Sequence, residues 1–186
     1  MRNTVFIIII GFFLHSCSSI YLDKKELNYK GKCYHFESYE TYNVFRKVCP
    51  VNGWAEGVLI RKYYEIRLPK NIVYFQTGTE DIFEYPSKQI IYIYNCFTKK
   101  PYENEDEWIF RDATFRDVEN LYDYWERRGY HINSLENFNN KRISKVYSDG
   151  CTTILLFNIK PNNYKAFKNL ILTYKYIERN DVDKEE

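Results

Sequence analysis

Short runs of β-branched and aromatic residues, broken by Pro, Gly and polar pairs, carry most of the apolar positions in this chain. Gly57 to Leu68 (GVLIRKYYEIRL) is one such run, closed by Pro69. Pro69-Lys70-Asn71 turns the chain into a second run over Ile72 to Thr77. These compositions predict strands, because branched and aromatic side chains pack well on a pleated surface. Gly78 to Asp81 reads as a turn. Ile82 to Tyr85 reads as a short edge strand stopped by Pro86, since proline cannot donate to a ladder. Gln89 to Phe97 (QIIYIYNCF) is the most apolar run and predicts a central strand. Arg142–Ser148 and Cys151–Ile159 flank Asp149-Gly150, a strong hairpin signal. Cys33 to Trp54 shows no clear period and reads as mostly irregular.

The period becomes helical twice, both times late in the chain. Phe115, Val118, Leu121, Tyr122 and Trp125 recur at helical spacing. The Thr114 hydroxyl can cap the first turn, and Asp117 three residues on offers the acidic partner that a helix start favours. Gly129 after Arg127-Arg128 is a stop signal. Pro161-Asn162-Asn163 begins the second helix, whose apolar stripe is Tyr164, Phe167, Leu170, Ile171 and Tyr174. The expectation is a single α+β domain with a mainly antiparallel sheet and two helices, over about 114–128 and 163–176. No internal repeat, low-complexity segment or glycine-rich phosphate loop occurs.

One apolar run differs from the rest. Val5 to Leu14 contains nothing polar, follows Met1-Arg2-Asn3, and ends at Leu14-His15-Ser16-Cys17. A positive start, a short apolar core and a small residue before the cut make the layout of a secretory signal peptide. The run is too short to cross a bilayer core as a helix, which takes about 20 residues. The pattern resembles the lipobox of bacterial lipoprotein precursors, with Leu three positions before the cysteine and a small residue directly before it. The resemblance implies that Cys17 is alkylated with diacylglycerol, freed by cleavage before it, and acylated on its new amino group. It divides the chain into a signal peptide (1–16), a lipidated tether (17–30), a globular α+β domain (31–178) and a charged tail (179–186). Each buried methylene contributes about 0.8 kcal/mol, so two or three chains on one residue make a firm anchor. Ser18, rather than Asp, follows the cysteine. In lipoproteins of two-membrane bacteria this implies the outer membrane, with the face unspecified.

The chain has 27 basic and 25 acidic side chains, and only Arg2 is lost with the signal peptide. That balance supplies no electrostatic reason to expect nucleic acid as a partner. Four cysteines follow Cys17: Cys33, Cys49, Cys96 and Cys151. In an exported chain an even number permits two disulfides in three connectivities. The short loop favours Cys33–Cys49, worth roughly 3 kcal/mol in the chain-entropy model, which leaves Cys96–Cys151. The 19 tyrosines suit half-buried strands and, as the alternative reading, a sugar- or protein-binding face on which Trp54 or Trp108 would contribute.

Candidate chemistry is sparse. No CxxC pair occurs, as a zinc or thioredoxin-like site would need. His35 lies two residues from Cys33, on the same side of a strand, but a disulfide would remove that nucleophile. Glu103 to Glu107 lacks the alternating spacing of an EF-hand loop. Glu56 and Glu65 look like surface residues, and Asp149 like a turn residue. No catalytic, cofactor-binding or metal-ligating residue is therefore assigned, and no enzymatic activity or cofactor is expected. The leading expectation is a lipid-anchored envelope protein with a non-catalytic binding or structural domain, its partner an envelope protein or glycan. The alternatives are a periplasmic immunity or inhibitor protein and a cell-wall or glycan hydrolase.

Overall fold

The strand-forming runs assemble into two antiparallel sheets whose apolar faces meet. The computed structural model describes residues 18–21, 29–31, 33–48, 53–55, 58–60, 63–95, 108–131 and 141–177. In chain order the first strands are β1 (Ser18–Tyr21), β2 (Tyr29–Lys30), β3 (Tyr34–Ser38), β4 (Tyr42–Lys47), β5 (Gly53–Ala55) and β6 (Val58–Ile60). They continue as β7 (Tyr63–Pro69), β8 (Tyr74–Thr77), β9 (Glu80–Tyr85), β10 (Gln89–Asn95) and β11 (Ile109–Asp112). Two short helices follow, α1 (Phe115–Val118) and α2 (Tyr122–Arg127), joined by a 3₁₀ turn over Glu119–Leu121. The chain then forms β12 (Ile143–Ser148), β13 (Thr152–Ile159), α3 (Pro161–Ile171) and β14 (Lys175–Ile177).

The larger sheet runs β1-β8-β9-β10-β13-β12-β11, the smaller β14-β7-β4-β3-β2, and β5-β6 form a separate ribbon. The architecture is thus mostly β, and the antiparallel pattern is divided between two layers rather than held in one sheet. Their inner faces obey the two-residue period. Phe36 and Phe45 of the smaller sheet interlock with Phe75 and Phe83 of the larger, with ring centroids 5.0 Å apart for Phe36–Phe45, Phe36–Phe75 and Phe45–Phe83. Such pairs contribute about 0.5–1.5 kcal/mol each beyond the area they bury. A buried ion pair also crosses between the layers. Lys47 of β4 donates to both oxygens of Asp81 on β9 (2.8 and 2.9 Å), and to the Gly78 carbonyl.

Both helices form where the sequence places them, with changed boundaries. The first is two short segments with a 3₁₀ turn between. Its start is held as expected: the Asp117 carboxylate accepts the Thr114 N–H and hydroxyl, both at 2.7 Å. The second begins with Pro161, two residues earlier than expected, and stops at Ile171. Residues 172–174 turn, and Lys175–Ile177 pairs with β7, so Tyr174 closes the core from a turn rather than a helix. α3 thereby carries the chain from the larger sheet to the smaller.

Three further expectations are corrected. The described residues of Cys33–Trp54 are mostly strand: Tyr34 and Phe36 point inward while His35 and Glu37 stand opposite them, and β3 pairs with β4 throughout. The Ile82–Tyr85 run is not an edge strand. It belongs to β9 and lies between β8 and β10, because Pro86 sits in the hairpin turn, outside the ladder. The tether expected over 17–30 is not wholly free, since Ser18–Tyr21 pairs with Tyr74–Thr77 at the edge of the larger sheet. The signal peptide with Cys17, and the tail 179–186, lie outside the described residues.

Candidate functional site

The outer face of the larger sheet is only partly covered. Val118, Leu121, Tyr124 and Trp125 of the α1–α2 segment pack on Ile82, Ile90, Tyr92, Leu155 and Phe157. At that end Glu84 is buried and accepts from the Tyr124 and Tyr130 hydroxyls (2.5 Å each) and from Arg128 Nε (2.8 Å). Burial, then the hydrogen bond to Glu84, pushes the Tyr130 hydroxyl up to about 12. Arg128 also lies 4.3 Å over the Tyr74 ring. This cluster locks α2 to β9, and both Glu84 oxygens are occupied by its neighbours.

Towards the other end the helical cover stops and leaves a groove of about 560 Å³. Its floor is the period-2 face of three neighbouring strands: Tyr92 and Tyr94 from β10, Leu155 and Thr153 from β13, Val146 and Ser148 from β12. Arg111 of the edge strand β11 and Arg116, Asp117 and Asn120 of the helical segment form the walls. Arg111 grips Asp117 through two hydrogen bonds of 2.6 Å. The Arg111 bridge, opposed by partial burial and reinforced by Thr114, holds the Asp117 carboxyl well below the usual carboxylate range. Burial, then the neighbouring half-buried Glu80, raises the Tyr92 hydroxyl well above its ordinary value. The volume falls within the range of about 300–1,000 Å³ common for small-molecule clefts.

The cross-strand register gives the groove an address. Ser18, Thr77, Asp81, Ile93, Ile154, Tyr147 and Phe110 are successive partners in one row across all seven strands. Groove residues occupy the positions on either side of that row, so the groove sits level with the start of β1, one residue after Cys17.

The residues singled out from sequence do not gather there. Cys33 and Cys151 are each disulfide-bonded, so Cys33 offers no thiolate to His35. Cys49 and Cys96 lie outside the described residues, as do Glu56, Glu103–Glu107 and the Trp54 side chain. His35 stands on β3 opposite Arg46. Glu65 is held between Arg46 (2.6 Å) and Lys175 (3.2 Å). Burial alone would raise its carboxyl, and the two cations reverse that. Asp149 is a turn residue: its carboxylate accepts the Cys151 N–H at 2.8 Å and the Thr152 N–H. Trp108 packs against Tyr174 of the core at 5.9 Å, so its ring is a structural group. Among the described residues no three His, Cys, Asp or Glu side chains cluster as a metal site would require, and no helix is long and apolar enough to cross a membrane.

The groove residues were not singled out from sequence. Sheet packing, as the sequence suggests for its tyrosines, holds for Tyr92, which is buried with Ile93, while Tyr92 and the partly buried Tyr94 also line the groove. No family model matches the chain, and no curated protein or solved structure is significantly similar to it.

Proposed function

We propose that this chain is a lipid-anchored bacterial envelope protein whose two-sheet domain binds a ligand in the Tyr92–Arg116 groove without transforming it. The groove is the observation that carries the reading: a cleft of about 560 Å³ with an aromatic and aliphatic floor and polar walls. Its level on the sheet supports the anchored placement, since a lipid on Cys17 would join the domain beside β1 with no intervening spacer. The Leu14–Cys17 motif and the two disulfide-bonded cysteines accord with export, and Ser18 favours the outer membrane. Glycan hydrolysis is less well supported. It takes two carboxylates, and among the described residues that line the groove Asp117 is the single one, occupied by Arg111 and Thr114.

The test has two parts. Globomycin, which blocks lipoprotein processing, should make the precursor accumulate, and the mature N-terminal peptide should carry fatty-acyl mass on Cys17. Unchanged processing and a bare thiol would overturn the anchor.

The immunity or inhibitor reading is favoured by a different surface. Ile109 and Phe110 on the edge strand β11 are 63% and 52% exposed, and an edge strand presents backbone groups to which a partner strand can pair. A stable protein partner recovered from envelope extracts, and lost on Ile109→Lys, would move the assignment to that class.

A further inference from the structure

We infer that the groove selects a small cyclic ligand bearing a single carboxylate, with Arg116 as its anion-recognising residue. The inference deepens the binding reading above and rests on it. Two cations and one anion line the groove, but they are not equivalent. Arg111 spends two hydrogen bonds on Asp117, so that pair contributes no net charge. Among the described residues Arg116 has no ion pair or hydrogen bond, so of the charged side chains that line the groove one cation is left without a partner.

A guanidinium matches a carboxylate through two parallel N–H donors. One uncompensated charge suits a monoanion better than a phosphate monoester, which carries about −1.5 to −2 near neutrality. Asn120, one helical turn from Arg116, adds an amide on the same wall. The floor beneath is flat and largely apolar, built from Tyr94, Leu155 and Val146, with the Ser148 and Thr153 hydroxyls at its margin. A ring with an acid group on one side and hydroxyls on the other satisfies all of these surfaces. A sugar acid is the simplest such molecule.

The experiment is ligand-observed NMR on the full-length, detergent-solubilised protein with matched pairs: glucuronate with glucose, N-acetylmuramic acid with N-acetylglucosamine, and benzoate with benzamide. At least one acid is expected to show saturation transfer and to bind at least tenfold more tightly than its neutral partner. Arg116→Gln should weaken that binding about ten- to a hundredfold, the range for losing a charge-assisted hydrogen bond, with an unchanged melting temperature. Arg127→Gln, away from the groove, should leave it intact. Neutral partners binding as well as acids would overturn the ligand class while leaving the groove as a binding site. Acid binding untouched by Arg116→Gln would overturn the assignment of Arg116. Silence from every probe would overturn the inference as a whole, whereas the Cys17 lipid mass reports separately on the anchor.

Discussion

Arg111 and Asp117 meet through two parallel hydrogen bonds of 2.6 Å, fastening the exposed edge strand β11 to the first turn of α1. One carboxylate thereby does three things: it closes the groove wall, accepts the Thr114 N–H, and neutralises a cation that would otherwise compete with Arg116. Asp117→Asn keeps the shape and removes the charge. It should cost about 1–2 kcal/mol at neutral pH, given a cap and a half-exposed ion pair. The folded carboxyl titrates below its unfolded value. Its contribution is therefore complete above about pH 4 and is lost as pH falls below that. Thermal melts should show the gap between the two proteins narrowing from about pH 4 downwards. A gap that is constant with pH would show that the bridge carries no linkage.

Lys47 and Asp81 form a pair with almost no solvent contact, 5% and 1% exposed. The Tyr64 and Thr77 hydroxyls, both at 2.5 Å, complete the carboxylate's shell. Removing one partner strands a buried charge, so Lys47→Met should destabilise the fold by about 3–5 kcal/mol. The double change Lys47→Met with Asp81→Leu removes both charges and should recover much of that loss. Urea unfolding of the three variants checks this. A Lys47→Met protein within 1 kcal/mol of the parent would show that water reaches the site.

The two-residue period was legible wherever apolar residues dominate a run. β10 is central because Ile90, Ile91, Tyr92 and Ile93 can be buried on both faces, between the sandwich core and the α1–α2 segment. β3 was missed although Tyr34-His35-Phe36-Glu37 alternates, because its turn into β4 (Tyr39-Glu40-Thr41) lacks the usual Gly, Asn or Pro. Pro86 misled in the opposite way: a proline beside a strand marks a turn as readily as an edge. The Thr114–Asp117 cap was readable because its atoms lie three residues apart. The groove was not, since it draws on β10, β11, β12, β13 and the helical segment, and only the register of distant strands brings them together.

Buried tyrosines dominate the alkaline behaviour. Burial raises the hydroxyls of Tyr64, Tyr85 and Tyr174 well above their ordinary value, and Tyr130 and Tyr176 go to about 12. A group whose folded pKa is raised stabilises the fold fully below its unfolded value, near pH 10, and loses that contribution as pH climbs. Stability should therefore fall steeply between about pH 10 and 12, where the unfolded chain releases protons that the native one retains. Ultraviolet titration should show most tyrosinate appearing together with loss of circular dichroism. Smooth ionisation of the native state ahead of unfolding would contradict the burial of these side chains.

Cys33 and Cys151 are each disulfide-bonded, and the connectivity expected from the sequence can be checked directly. Asn95 pairs with Thr152 at the end of β10 and β13, and Cys96 and Cys151 are the next residues outward along each chain. On the smaller sheet the Val48 N–H donates to the Cys33 carbonyl at 2.9 Å, and Cys49 is the next residue after Val48. Cys49 and Cys96 lie outside the described residues, so the pairing is read from sequence adjacency alone. Peptide mapping without reduction should find Cys33–Cys49 and Cys96–Cys151. The first closes a short loop and the second one roughly three times as long, so in the chain-entropy model they contribute about 3 and 4 kcal/mol. Cys96→Ser with Cys151→Ser should then lower stability more than Cys33→Ser with Cys49→Ser. Recovery of a Cys33–Cys151 peptide would break both pairings at once, because it would tie the two sheets to each other instead of closing a loop within each.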